Sequence, residues 1–149
     1  MSQENVESWR GSIEDLLACR SEADWEGWLA RAAELWDPDI EWDVSAYGDM
    51  PDIGGVYRGI EAVRQFWREW LAAWETLEFE YELIDAGDRV VALIDQRMRG
   101  RSTGIEVPLG KYAQVATWKD GVMTHLKLYP SQSEALKAAG LSEDVQSSP

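Results

Sequence analysis

The spacing of hydrophobic residues changes along this chain near Trp74. Before Trp74, apolar residues mostly recur every three or four positions, as they do on one face of an α-helix. After Trp74 they recur at every second position, as on one face of a β-strand. Helices followed by a run of strands favour an α+β fold, in which the helices pack on one face of a curved, mostly antiparallel sheet.

Three helices are predicted in the first half of the chain and a short one near its end. Apolar residues at helical spacing cover residues 9–17, 25–36 and 60–74. Ser21, three residues before Asp24, predicts the start of the second helix, and Pro38 helps to end it. The last helix is predicted in the same way, with a capping box at Ser131 and Glu134 and a terminating Gly140.

One strand is predicted between the second and third helices. Ile40, Trp42 and Val44 alternate with Glu41 and Asp43. If the apolar residues face the core, Trp42 points inward and the two acids point outward. With Asp37 as the first position of a calcium loop, acids fall at positions 1, 3 and 5, but Trp42 stands where the loop needs glycine and Gly48 where it needs glutamate. We therefore predict no metal site.

The strongest strand signal is a hairpin over residues 76–101 with Gly87-Asp88 at its turn. Pairing Ala86 with Arg89 fixes the register of the whole hairpin. A further strand is predicted over 107–118, and a turn at 119–121 leads into a last strand. The register makes Tyr81 oppose Ile94, Phe79 oppose Gln96, Leu77 oppose Met98, Glu78 oppose Arg97 and Glu80 oppose Asp95.

The composition limits the partners and the compartment. The 149 residues are sufficient for one domain, predicted over 1–141, with a disordered tail over 142–149. A formal net charge of −14 predicts that the protein binds neither nucleic acid nor an anionic membrane surface. Its single cysteine, Cys19, and the lack of an amino-terminal apolar run favour the cytoplasm.

Five short motifs, in this order, give the chain its resemblance to a known family. They are "PDIEW" (38–42), "GVYRGIEAV" (55–63), "RGRSTG" (99–104), "KDG" (119–121) and "YPSQSEALKAAGL" (129–141). Together they resemble the SnoaL-like branch of the nuclear transport factor 2-like superfamily. The resemblance covers nearly the whole chain.

The resemblance implies a cone-shaped α+β barrel, in which a bent sheet wraps around the helices and leaves a pocket closed at one end. It also implies a homodimer formed through the outer sheet face. Relatives include polyketide cyclases, ketosteroid isomerases, dehydratases and epoxide hydrolases, besides binding modules without chemistry. The fold therefore does not select a reaction.

The acid–base residues that the resemblance implies are not evident here. Isomerase relatives carry a base near the first strand and a second acid on the penultimate strand, where this chain has Trp42 and Gln114. Cyclase relatives use an acid near the end of the last strand, where this chain offers Ser131. Glutamine can donate a hydrogen bond to an oxyanion, but it cannot move a proton at neutral pH.

Two other side chains are candidates for catalysis. Asp95 and Arg97 superficially fit the Asp–Arg–Asp arrangement of epoxide hydrolase relatives, but the hairpin register turns them outward. His125 is the single histidine of the chain and so a candidate general base, and the leucines beside it favour an outward position for it as well. If that register is reversed, His125 becomes the best general base. Tyr81 and Gln114 are candidates for polarising a carbonyl group.

We therefore predict a small-molecule-binding protein without a cofactor, whose ligand is an apolar, aromatic or polycyclic molecule with a carbonyl or hydroxyl group. The alternative is an isomerase, cyclase, lyase or epoxide hydrolase acting on such a compound. The predicted pocket is aromatic, with two amides and a phenol. Its residues are Trp42, Tyr57, Trp67, Trp70, Phe79, Tyr81, Ile94, Gln96, Met98, Gln114, Trp118 and Leu126.

Overall fold

The computed structural model describes residues 2–47, 55–72, 74–100, 104 and 106–141. The predicted tail, 142–149, lies outside the described residues. The helices are α1 (Ser2–Ala18), α2 (Glu22–Ala33), α3 (Ile60–Ala72) and α4 (Gln132–Ala138), with a 3-10 turn at Ser45–Tyr47. The strands are β1 (Trp36–Asp43), β2 (Val56–Arg58), β3 (Trp74–Ala86), β4 (Arg89–Gly100), β5 (Glu106–Lys119) and β6 (Val122–Tyr129).

The six strands form one curved sheet in the order β2-β1-β6-β5-β4-β3. The β1–β6 pair is parallel and the other four pairs are antiparallel. Within the described chain β2 and β3 are the two edges, so the sheet is open and does not close into a full barrel. The predicted α+β class and the mostly antiparallel sheet are confirmed.

The predicted register of the β3–β4 hairpin is correct throughout. Tyr81 opposes Ile94 and Ala86 opposes Arg89, and Gly87 in the turn has the positive φ of 84° that glycine adopts easily. Glu80 opposes Asp95, which sets two like charges side by side. Lys111 of β5 stands on the other side of Asp95 and offsets that repulsion.

Two junctions between a helix and a strand differ from the sequence prediction, because pairing with neighbouring strands takes residues from the helix ends. The second helix ends at Ala33, and Trp36 and Pro38 lie in β1. The backbone N–H of Met123 donates to Leu35 O at 2.7 Å, which joins the start of β1 to β6. In the same way, Trp74 leaves the third helix and pairs with Gly100.

Strand β2 was not predicted, because its three residues are too few to show a period. It is held by antiparallel pairing with β1, in which Trp42 opposes Tyr57. Gly59 N–H then donates to Ile40 O at 2.8 Å and fixes the start of α3 against the same strand. Tertiary pairing thus supplies what local sequence does not.

The sheet is buried on both faces along β4. Its inner residues pack against α1, α2 and α3 in the main core. Its outer residues Val91 and Leu93 pack with Val115 against Ala135 and Leu136 of α4. The Ser131 side chain caps α4 by accepting from the Glu134 N–H, as the sequence predicts. This helix therefore covers the outer face at the β4–β5 centre of the sheet.

The packing of α4 is tested by replacing Leu136, which is fully buried, with alanine. We expect Leu136→Ala to lower the free energy of unfolding by about 2–4 kcal/mol, because it leaves a cavity under the helix. Urea unfolding followed by circular dichroism measures this change. Lys137→Ala, on the exposed side of the same helix, is the matched control. Equal effects of the two substitutions would contradict the packing described here.

Candidate functional site

A cavity of about 100 Å³ lies between the inner face of the sheet and helices α1, α2 and α3. Its lining is mostly aromatic and aliphatic, with a few neutral polar groups. Six residues of this lining are only half-buried, so the cavity is not fully enclosed: Ser12, Leu35, Trp67, Trp70, Phe79 and Gln114. The lining consists of Trp9, Ser12, Ile13, Leu16, Trp28, Ala32, Leu35, Trp36, Trp42, Val44, Phe66, Trp67, Trp70, Phe79, Ile94, Gln96, Tyr112, Gln114, Trp118, Met123 and Leu128.

The helical wall is held together by polar contacts between α1 and α2. The indole N–H of Trp28 donates to Ser12 O at 2.9 Å. One turn later on α1, the carboxylate of Asp15 accepts two hydrogen bonds from Arg31, from Nε at 2.7 Å and from Nη2 at 2.9 Å. This bidentate pair holds the α1 residues that face the cavity against α2.

Indole rings join this helical wall to the sheet. Trp67 of α3 packs edge-to-face on Trp28 of α2, with ring centroids 4.9 Å apart, and on Trp42 of β1 at 5.9 Å. Trp42 also meets Trp36 at 5.7 Å. Trp42 is 4% exposed and points inward, as the alternation of its strand predicts. Such edge-to-face pairs add to the stabilisation that burial of the rings provides.

The sheet wall supplies most of the polar groups. Gln96 is 4% exposed, and its side-chain oxygen accepts a hydrogen bond from the hydroxyl of Tyr112 on β5. Gln114 and Trp118 follow Tyr112 on the inner face of the same strand. The indole nitrogen of Trp118 is buried and has no hydrogen-bond partner within the described residues.

None of the described residues that line the cavity carries a formal charge. The acids of the first strand lie on the other face, where Glu41 accepts from Arg58 Nε at 3.2 Å. No three His, Cys, Asp or Glu side chains in the described ranges are grouped so that they could hold a metal ion. The chemistry available inside the cavity is therefore hydrogen bonding and apolar contact.

The catalytic candidates lie apart from one another. Asp95 and His125 are exposed on the outer face, and the His125 Nδ1 lies 3.1 Å from Thr124 Oγ1. Tyr81 donates to the Glu14 carboxylate of α1, outside the cavity. Burial and the Glu14 contact raise the pKa of Tyr81, and Arg10 opposes this shift. Of the four candidates, only Gln114 lines the cavity.

Eight of the twelve predicted pocket residues line this cavity and four do not. Besides Tyr81, the exceptions are Tyr57, which packs on Phe66 with centroids 4.9 Å apart, and Met98 and Leu126, which are buried outside the lining. Whether any of the lining residues contacts a ligand stays a prediction. The eight are Trp42, Trp67, Trp70, Phe79, Ile94, Gln96, Gln114 and Trp118.

Sequence reasoning missed several cavity residues. Tyr112 stands two positions before Gln114, so the alternation of β5 was sufficient to place it on the inner face. Trp9, Ile13 and Leu16 of α1 were predicted only as core residues. Ser12 carried no signal, because a serine beside an apolar helical stripe ordinarily faces solvent.

The chain was also compared with known families and solved structures. The model of the SnoaL-like domain matches residues 13–126. The chain belongs to the SnoaL-like domain family. No curated protein matches it. The family resemblance carried by the five sequence motifs is thus confirmed.

Solved structures show the same fold at low sequence identity. A nuclear transport factor 2-like protein of unknown function from Burkholderia pseudomallei has a TM-score of 0.67 at 22% identity, over 90% of this chain and 95% of its own. TerC, co-crystallised with polyporic acid, has a TM-score of 0.66 at 21% identity, over 92% and 98%. A protein from Jannaschia that is assigned as a SnoaL-like polyketide cyclase has a TM-score of 0.66 at 18% identity, over 86% and 85%.

The α1–α2 contact predicts a specific pH dependence. The hydrogen bond from Arg31 holds the pKa of Asp15 below its usual value, despite an opposing contribution from burial. The ionised pair therefore contributes stability above the unfolded-state pKa of Asp15, and this contribution is lost as the pH falls through the folded-state pKa. Asp15→Asn should lower the urea midpoint at pH 7.

The difference between Asp15→Asn and the unchanged protein should vanish once the pH is below the folded-state pKa of Asp15. Urea midpoints measured from pH 7 down to the acid limit of folding test this. Glu4→Gln removes an exposed carboxylate of the same helix, and its pH profile should follow that of the unchanged protein. A pH-independent deficit in Asp15→Asn would contradict the role given to the ionised pair.

Proposed function

We propose that this SnoaL-like protein binds a compact, neutral, aromatic or apolar small molecule in the cavity between sheet and helices. The observation that carries the proposal is the lining itself, which is rich in tryptophan and, among the described residues, contains no charged side chain. Ligand sites commonly combine an apolar wall with a few placed polar groups. Here Ser12, Gln96, Tyr112 and Gln114 are those polar groups.

The volume of the cavity favours a ligand of about one ring over the polycyclic ligand that the sequence suggested. Drug-sized ligands occupy pockets of roughly 300–1,000 Å³, and a dry cavity of about 150 Å³ holds one benzene molecule. The cavity here, at about 100 Å³, is nearer to the second size. Because the cavity is not fully enclosed, a substituent on the ring has room to extend out of it.

Two of the solved structures support binding of organic molecules in this fold. TerC was crystallised with polyporic acid, and the Jannaschia protein is assigned as a polyketide cyclase. An isomerase, cyclase, lyase or epoxide hydrolase needs a group that moves a proton beside the ligand. In the described lining only the phenol of Tyr112 is ionisable. We therefore favour binding over acid–base catalysis.

Binding is tested by tryptophan fluorescence, excited at 295 nm, during titration with toluene and with phenol. We expect saturable changes in emission, because the cavity is walled by indole rings. Ala32→Leu, which adds a side chain into the cavity, should weaken binding by roughly tenfold, the equivalent of about 1.4 kcal/mol. Ala138→Leu makes the same change on the exposed side of α4 and should leave binding unchanged.

An absence of saturable change with both compounds would refute the proposed pocket. Equal weakening by Ala32→Leu and Ala138→Leu would show that the signal comes from elsewhere on the protein. Urea unfolding of both variants, run in parallel, shows whether lost binding is lost structure.

We also propose that the protein is a cytoplasmic homodimer that pairs through the outer sheet face. Support comes from the opposite charges on that face, with Glu78 beside Arg97 and Asp95 beside Lys111. In the described chain the exposed large apolar side chain is Val56, on edge strand β2, so such an interface is polar. No described helix is long and apolar enough to cross a membrane. The net charge of −14 disfavours nucleic acid as a partner.

Sedimentation equilibrium tests the dimer. Lys111→Glu places a third acid beside Asp95 and Glu80 and should raise the dimer dissociation constant by roughly tenfold or more. Lys119→Glu, beside the turn between β5 and β6, is the charge-matched control and should have a smaller effect. A monomeric unchanged protein at 100 μM, or equal effects of the two substitutions, would contradict the proposed face.

A further inference from the structure

The hydrogen bond between Tyr112 and Gln96 fixes the orientation of a buried amide. The Tyr112 hydroxyl donates to the Gln96 carbonyl oxygen, and the two residues are 6% and 4% exposed. The amide nitrogen of Gln96 therefore stands at the other end of the same group. Both residues line the cavity.

The NH₂ group of Gln96 forms no hydrogen bond with the described residues. The Gln96 nitrogen is not among the fully buried donors that lack a partner, so it keeps some accessible surface from which it can donate to an acceptor in the cavity. Gln114, two positions after Tyr112 on the same face of β5, also lines the cavity and forms no side-chain hydrogen bond with the described residues. The polar part of the cavity is thus rich in donors that lack acceptors.

In the part of the chain that the structure describes, the lining offers no cation that could offset a buried negative charge. The chain as a whole carries a formal charge of −14, which adds a repulsive field for anions. Transfer of a carboxylate into such a cavity costs far more than transfer of a ketone. An acceptor that enters must therefore be neutral.

We propose that the cavity selects ligands carrying a neutral carbonyl oxygen, which accepts a hydrogen bond from the Gln96 NH₂ group. Tyr112 acts as a positioning residue: by donating to the Gln96 oxygen it holds the nitrogen towards the ligand. This selectivity rests on the proposed function, and it narrows the ligand class to aryl ketones, esters, amides or quinones. Gln114 provides a second neutral donor in the same cavity.

Three ligands of nearly the same shape separate the contributions. Acetophenone carries the carbonyl acceptor, α-methylstyrene replaces that oxygen with CH₂, and benzoate replaces the methyl group with a charged oxygen. Dissociation constants come from calorimetry or fluorescence titration of the full chain. We expect acetophenone to bind about three- to tenfold more tightly than α-methylstyrene, the gain of one hydrogen bond. Benzoate should bind more weakly than both.

The role of Tyr112 is tested with Tyr112→Phe. Without the hydroxyl, the Gln96 amide is free to turn its oxygen or its nitrogen towards the ligand. The preference for acetophenone over α-methylstyrene should fall to about twofold or less, within the energy of a weakened hydrogen bond, whereas the affinity for α-methylstyrene stays close to its original value. Tyr129→Phe removes a hydroxyl from the outer face of the sheet, outside the lining, and is the matched control that should keep the preference.

A spectroscopic readout makes the test independent of any variant that fails to fold. The carbonyl stretching band of ¹³C-labelled acetophenone should move to lower frequency when bound to the unchanged protein than when dissolved in an alkane. In Tyr112→Phe this shift should shrink. A bound carbonyl with the alkane frequency in the unchanged protein would overturn the inference.

The failure of the inference differs from the failure of the proposed function. If none of the three compounds binds, both are wrong. If α-methylstyrene and acetophenone bind equally, the cavity binds apolar molecules but the donor assignment is wrong. If benzoate binds as tightly as acetophenone, or if 1-phenylethanol is preferred to the ketone, the neutral-acceptor selectivity is overturned.

Discussion

The contacts of Trp67 connect the layers of this protein. Its ring lies against Trp28 of α2 and against Trp42 of β1. Trp67 therefore joins α3 both to the sheet and to a second helix. The cavity exists because rigid rings of this size meet at their edges and leave space between them. Flexible aliphatic side chains in the same places would more readily fill that space. The size of the cavity thus follows from the identity of a few aromatic residues.

The structure was predicted most accurately from the sequence where a regular alternation of apolar residues is combined with a short turn. The β3–β4 register followed from Gly87 and the alternation of apolar residues, and the capping serines of α2 and α4 have the roles their positions indicated. The inward position of Trp42 followed from the same rule. In each case the information is local, within a few residues of the feature that it determines.

The prediction failed where distant strands decide the structure. Trp36 and Trp74 continue the helical spacing of the segments before them, yet pairing with Met123 and Gly100 places both in strands. The alternation of β3 predicts that Tyr81 faces inward, but its hydroxyl donates to the carboxylate of Glu14 on α1, and Tyr81 is not part of the cavity lining. The Gln96–Tyr112 hydrogen bond depends on the register between β4 and β5, which cannot be predicted from either residue alone.

The outer helix α4 has a mechanical consequence for the cavity. Because Leu136 and Ala135 press on Val91 and Leu93, the centre of β4 is clamped between two packed layers. The centre of β4 therefore cannot move outward to enlarge the cavity, because packed residues support the strand on both faces. The part of the cavity wall that can move is formed by α1 and α2. These helices are joined in part by the Asp15–Arg31 ion pair, whose side chains are partly exposed to solvent. A ligand of different size, bound in the cavity as proposed, would therefore be accommodated by movement of α1 and α2 and not by movement of the sheet.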